Sequence, residues 1–228
     1  MNAPFSIEQF LGVFVAYNAA IWPAQIVAYV LGLVAVAALW LKPPLTNRMI
    51  LSILALLWAW IAIGYHHLFF SPINPAGKIF AGFFLLQSLL LAASAVAARN
   101  MPFLIGWNFR SIAGASFIIY AMLIYPILGI WAGHGLMAGP MFGVAPCPTT
   151  IFTIGMLLLA RGRWVVWLSV IPFLWSLIGL AAALQLGIPE DLGLPVGGIV
   201  LVIILSFEMV LARRGGGRST LALGSAEL

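Results

Sequence analysis

The sequence predicts an all-α integral membrane protein, a bundle of about seven transmembrane helices plus an N-terminal interfacial helix. Three observations predict it. Of the 228 residues, 64% are hydrophobic and only 7% charged, where a soluble domain carries roughly 25% charged residues. Such a chain has too few polar groups to cover its own surface. The apolar residues fall in blocks near the roughly 20 residues that cross a bilayer as helix. The basic residues sit singly or in pairs between those blocks, which marks them as topology signals and excludes a nucleic-acid surface. Residues 1–212 read as a single membrane domain, and 213–228 as a disordered cytoplasmic tail.

The elements follow in order. Ser6 and Gln9 have capping-box spacing, and Phe5 and Phe10 stand at staple positions. They open an amphipathic helix over 6–21, about 22 Å long and so short of a span; it is read as interfacial, with a re-entrant or spanning helix as the alternative. Trp22-Pro23 forces a bend. Spans follow at about 24–41, 49–69, 79–98 and 111–131. A fifth ends near Ala160, and the last two cover about 164–186 and 194–212. The N-terminus lacks the basic region of a cleavable signal, so the chain is expected to insert by its own helices.

Alternate links differ in charge. Those after spans one, three, five and seven hold Lys42 and Arg48, Arg99 and Arg110, Arg161 and Arg163, then Arg213, Arg214 and Arg218. The other links hold Lys78, then no formal charge, then Glu190 and Asp191. The positive-inside rule puts the C-terminus in the cytoplasm and the N-terminus outside. Trp22, Trp107, Trp131 and Trp164 fall at predicted interfaces as an aromatic belt.

With that orientation the distinctive polar residues gather on the outer side: His66, His67, Asn74, His134, Cys147, Glu190 and Asp191. The stretch 142–155 stands out, with the one cysteine between two prolines and a Thr149-Thr150 pair after them. Pro148 suits the first helical position, which makes Cys147 the N-cap. From Pro148 to Ala160 is about 20 Å of helix, against a hydrocarbon core of about 30 Å. The preceding loop is therefore expected to dip into the membrane, where irregular backbone needs a protein-lined or wet cavity. Half-helix starts at that depth bind small anions or polar solutes. The plainer alternative is a short span with a Pro-bounded loop at the headgroups.

Asn18, Gln25, His66, Asn74, His134, Thr149 and Thr150 are the candidate solute-binding residues. Asn18 and Gln25, with Gln87 and Ser88, are equally explained by interhelical hydrogen bonds. His66, His67, His134 and Cys147 make a candidate metal set of N and S ligands, and a histidine from each of two spans would suit haem. Adjacent His66 and His67 point about 100° apart on an α-helix, so both reach one ion only where the helix unwinds. Cys147 also reads as a small packing residue. Glu208, near the inner end of the last span, reads as an ion-pair partner of the inner arginines. No span contains a lysine, which excludes a retinal Schiff base. No HExxH, GxSxG or phosphate-binding loop is present, so no enzyme class is assigned.

Three stretches carry a resemblance: YNAAIWPAQ at 17–25, GYHHLFFSPINPA at 64–76, and FGVAPCPTTIFTIG at 142–155. Together they resemble a family of bacterial polytopic membrane proteins of unknown function, whose members are loosely labelled permeases. The resemblance implies a multi-span protein of the bacterial inner membrane and no particular substrate. The leading expectation is a small-solute binding or transport protein with an outward site, embedded in lipid and needing no cofactor. The alternatives are a metal- or haem-binding redox protein and a structural or accessory subunit, and a homo-oligomer is compatible with each reading.

Overall fold

A computed structural model describes residues 6–42, 45–97, 101–133 and 135–224, with backbone alone at 136, 182, 186 and 212–224. The chain is all-helical. Helix α1 spans Ile7–Ala20. It starts on the expected capping box, with Gln9 Oε1 accepting from the Ser6 N–H at 2.9 Å and Ser6 Oγ accepting from the Gln9 N–H at 3.3 Å. Helix α2 is Ala24–Ala37, ending in a 3-10 turn at Ala38–Trp40. Helix α3, Leu45–Trp60, widens into π-helix over Ile61–Phe70. Helix α4 is Ala76–Val96. Helix α5, Phe109–Ile119, passes through a π-helical turn at Tyr120–Ile124 into α6, Tyr125–Trp131. The short α7 is Gly135–Ala138. Helix α8 is Pro146–Leu159 and α9 is Trp164–Leu186. A 3-10 turn at Pro189–Leu192 leads into α10, Gly193–Gly224, which carries helix into the stretch expected to be disordered.

Among the described residues five helices are long and apolar enough to cross a membrane: Leu45–Phe70, Ala76–Val96, Phe109–Trp131, Trp164–Gln185 and Pro189–Leu211. The chain is therefore a multi-pass membrane protein by length and composition. Two further spans expected from sequence differ. Helix α2 reaches span length only together with α1, and the two are bent by 86°. Helix α8 has 14 residues, about 21 Å, and falls short of a bilayer by itself.

Helix α8 is the axis of the bundle. All 14 of its residues are buried, and the burial extends back without a break to Phe142. A helix apolar on every face belongs inside a protein, whereas the other long helices keep rows of exposed apolar residues such as Ile79, Phe83 and Leu86 on α4. Helices α3, α5, α9 and α10 enclose it. The α5 crossing is close because two glycines meet there. A Cβ on Gly155 would stand 2.8 Å from the Gly114 carbonyl oxygen, and one on Gly114 would stand 2.8 Å from the Gly155 oxygen. Small residues at such a crossing are how membrane helices gain van der Waals contact where lipid removes the hydrophobic drive. On the α3 side, Trp58 Nε1 donates to Thr153 Oγ1 at 2.9 Å.

At one end of the bundle Arg110 pairs with Glu208, and Arg161 Nη1 meets the other Glu208 oxygen at 3.2 Å. Arg110 also donates to the carbonyls of Leu157, Leu158 and Ala160, closing the C-terminus of α8. The ion pair expected for Glu208 is thus present, formed with Arg110 and Arg161. Arg213 lies among the residues with no described side chain. Trp22, Trp107, Trp131 and Trp164 are all exposed.

Candidate solute cavity at the start of helix α8

Helix α8 begins two residues earlier than its prolines suggested. Ala145 is the N-cap, in extended conformation, and Pro146 takes the first helical position. Pro148 then lies third, still within the first turn whose N–H groups have no helical acceptor. Cys147 is inside the helix and buried.

The backbone leading into this start is irregular, and the protein satisfies it. Asn18 Nδ2 donates to the carbonyls of Met137 at 2.8 Å and Gly139 at 3.0 Å. Tyr17 Oη donates to the Val144 carbonyl at 2.9 Å and accepts from Trp60 Nε1 at 2.9 Å. Thr149 Oγ1 donates to the Ala145 carbonyl at 2.7 Å and accepts from the Gly143 N–H at 2.9 Å. Gly143 has φ +80°, and a Cβ there would meet the Ala28 side chain. These are the conditions under which non-helical backbone is tolerated at membrane depth.

A cavity of about 200 Å³ opens beside this start. Its floor is Cys147 and Pro146 from α8, and one wall is His66 and Tyr65 from the π-helical end of α3. Asn74 follows from the next link, Trp175 from α9, and Asp191 from the 3-10 turn. The π-helix matters here because its wider turn departs from the i→i+4 pattern, a departure common at functional sites. The Ser71 N–H returns to the His66 carbonyl at 3.0 Å, five residues back. His66 is 1% exposed and ringed by Tyr65, Phe70, Phe80, Phe84 and Trp175. Neither of its ring nitrogens has a hydrogen-bond partner. A buried polar group without a partner costs on the order of 1–3 kcal/mol, so this one is an anomaly calling for a function.

The predicted site residues divide into three groups. His66, Asn74 and Cys147 come together on the cavity. Asn18, Gln25 and Thr149 are buried in backbone-tethering roles, Gln25 by donating to the Asn18 carbonyl at 2.8 Å across the bend before α2. Thr150 is buried, its hydroxyl without a partner, and is not among the lining residues. His134 lies outside the described residues. Of the candidate metal set, His66 and Cys147 meet on the cavity and His67 does not. His67 is exposed, on a different face from His66, because even the widened turn keeps neighbours apart. Among the described residues no group of three or more His, Cys, Asp or Glu is placed to hold a metal ion. Cys147, enclosed by apolar groups and beside Asp191, is not in the electropositive, part-exposed setting of reactive thiols.

A family profile described as "Family of unknown function (DUF6064)" matches residues 7–215. The chain belongs to this family. The DUF6064 match runs from α1 into α10, so it includes every element that lines the cavity. No curated protein and no solved structure matches the chain.

Sequence reasoning missed Trp175, Tyr65, Tyr125 and the cavity role of Asp191. Tyr125 Oη donates to Asp191 Oδ1, across 66 positions of sequence. Asp191 had one available signal, an acidic pair with Glu190 in a link without basic residues. The aromatic residues gave none, since every span contains them.

Proposed function

We propose that this DUF6064 protein is a bacterial inner-membrane protein that binds a small solute in the cavity at the start of α8, in the manner of a permease. Its C-terminus lies in the cytoplasm, its N-terminus outside, and the cavity opens to the outer side. The observation that carries the reading is the convergence of His66, Asn74 and Cys147, picked out separately by sequence, on one cavity with Asp191. The charge pattern of the links supports the orientation. A cavity lined by apolar and aromatic side chains with a few convergent polar groups is the usual form of a small-molecule site. Counting α1–α2 as one broken span and α8 as another restores seven crossings, with α8 reaching only part-way and the 139–145 backbone completing the distance.

Ala181 is exposed and lines the cavity, so Ala181→Cys, with the one native cysteine replaced by serine, makes a reporter. A small membrane-impermeant thiol reagent is expected to label it in intact cells and not from the cytoplasmic face of inverted vesicles. Labelling from the cytoplasmic face alone would overturn the outward cavity.

A further inference from the structure

We infer that a second cleft, between the start of α9 and the end of α10, is a site for an anionic phospholipid. The site is separate from the solute cavity and does not depend on it. From Gly193 to Glu208 is about 23 Å of helix, so the two sites lie toward opposite ends of the bundle. The cleft has a volume of about 180 Å³. Arg110, Arg163 and Glu208 line it together with apolar side chains of α9 and α10.

The cleft is positive whatever the state of Glu208. Arg110 and Arg161 both meet that carboxylate, and Arg163 is a third guanidinium in the lining. Guanidinium groups stay charged. Three cations against one carboxylate leave a positive balance, and protonating Glu208 would only raise it. The other described acids, Glu8, Glu190 and Asp191, lie on or next to elements that line the solute cavity. Arg110 is committed to Glu208 and to the end of α8. Among the described residues Arg161 gives one side-chain hydrogen bond, from Nη1 to Glu208, out of the five donors of a guanidinium. Arg163 is exposed and lies over the Trp164 ring, 5.7 Å from its centroid. Arg161 and Arg163 are therefore the groups that can turn donors to a phosphate, for which the planar fork of arginine is well shaped.

Depth and surroundings select a lipid over a free anion. The span Trp164–Gln185 starts at this cleft and the span Pro189–Leu211 ends at it, which is the level of the headgroups. Trp107 and Phe109, just before Arg110, are exposed, and so is Trp164, as interfacial anchors are. The lining itself turns apolar at Val166, Leu205 and Met209. Val170, one turn further along the same face of α9, and Val202, two turns before Met209 on α10, are exposed. An acyl chain below a held phosphate has this track to follow, and a free phosphate has no use for it. Basic pockets between transmembrane helices are a recurring way to hold anionic headgroups.

The test uses the full chain purified in detergent and read by native mass spectrometry, with phosphatidylglycerol and phosphatidylcholine of identical acyl chains added in equal amounts. The phosphatidylglycerol adduct is expected to exceed the phosphatidylcholine adduct at least about fivefold, the effect of one basic residue on an anionic lipid. Arg163→Gln, at an exposed position, is expected to remove most of that preference, and Arg161→Gln serves where the first variant fails to fold. Arg48→Gln, an exposed basic residue on α3 outside the cleft, is expected to leave it unchanged. Equal adducts of the two lipids would overturn the proposal. An equal loss from Arg48→Gln would overturn it too, because the preference would then belong to basic residues in general. Displacement of the lipid by an equal concentration of inorganic phosphate would overturn the lipid as occupant.

Discussion

Replacing Arg110 with methionine is expected to destabilise the bundle far more than replacing its partner Glu208 with glutamine. The guanidinium is 6% exposed and the carboxylate 43%. Arg110→Met removes every donor from a buried position, stranding the carbonyls of Leu158 and Ala160 at the end of α8, while Leu157 keeps the Ala160 N–H. Two buried carbonyls left without donors, at about 1–3 kcal/mol each, cost about 2–6 kcal/mol together. Glu208→Gln leaves those carbonyl bonds in place and an amide oxygen facing Arg110. Its carboxylate is part-exposed and shared with Arg161, so its loss should cost about 1 kcal/mol or less. The gap of at least about 1 kcal/mol corresponds to a roughly fivefold or greater difference in the folding equilibrium constant, at about 1.4 kcal/mol per tenfold. Denaturant unfolding of the two variants in mixed micelles, followed by far-UV circular dichroism, measures it. Equal losses in the two variants would refute the reasoning. They would mean that Arg110 acts as an ion-pair partner and not as the cap of α8.

Three further predictions follow from the packing. Gly155→Ala places a methyl 2.8 Å from the Gly114 oxygen and 2.9 Å from Ile118, so a loss of about 1–3 kcal/mol is expected, while Gly12→Ala, with nothing within 4 Å, should be neutral or stabilising by up to about 1 kcal/mol; melting temperatures that ranked the two in reverse would count against the close α5–α8 crossing. Thr153→Val strands the Trp58 indole N–H and should cost about 1–3 kcal/mol, visible as lower thermal stability with Trp58→Phe as the relieving second change. Asn18→Ala releases the carbonyls of Met137 and Gly139 and is expected to raise hydrogen exchange over 137–145 selectively; protection unchanged there would show that other contacts hold the loop.

The membrane class, the capping box on α1 and the Glu208 ion pair were legible in sequence because each rests on local residue type or on charge. The short length of the fifth apolar block was legible too, and it pointed to the cavity region. What the sequence did not disclose was that α8 is the axis. A helix buried by protein and one buried by lipid read alike, since both surroundings are apolar. Long-range pairs such as the Gly114–Gly155 crossing and the Trp58–Thr153 bond separate them. The same limit hid the cavity wall. His66 stands out as a residue type, whereas Trp175 and Phe80 are among many aromatic residues whose neighbours depend on helix rotation. Asn18 and Gln25 were read as possible solute ligands because an amide side chain looks the same whether it faces a solute or a backbone carbonyl.

The enclosure of α8 has a consequence for how the chain is made. A ribosome delivers α3 and α5 before α8, but α9 and α10 after it. When α8 emerges, half of its sheath does not yet exist. At about 21 Å it is also too short to rest across the bilayer by itself. Its docking must therefore await the last two helices, so the chain reaches its native arrangement only near the end of synthesis. A chain stopped after residue 188 is expected to leave α8 loosely held and to be degraded quickly in pulse-chase. Co-expression of the missing 189–228 piece is expected to rescue it, as the late helix closes around a waiting partner.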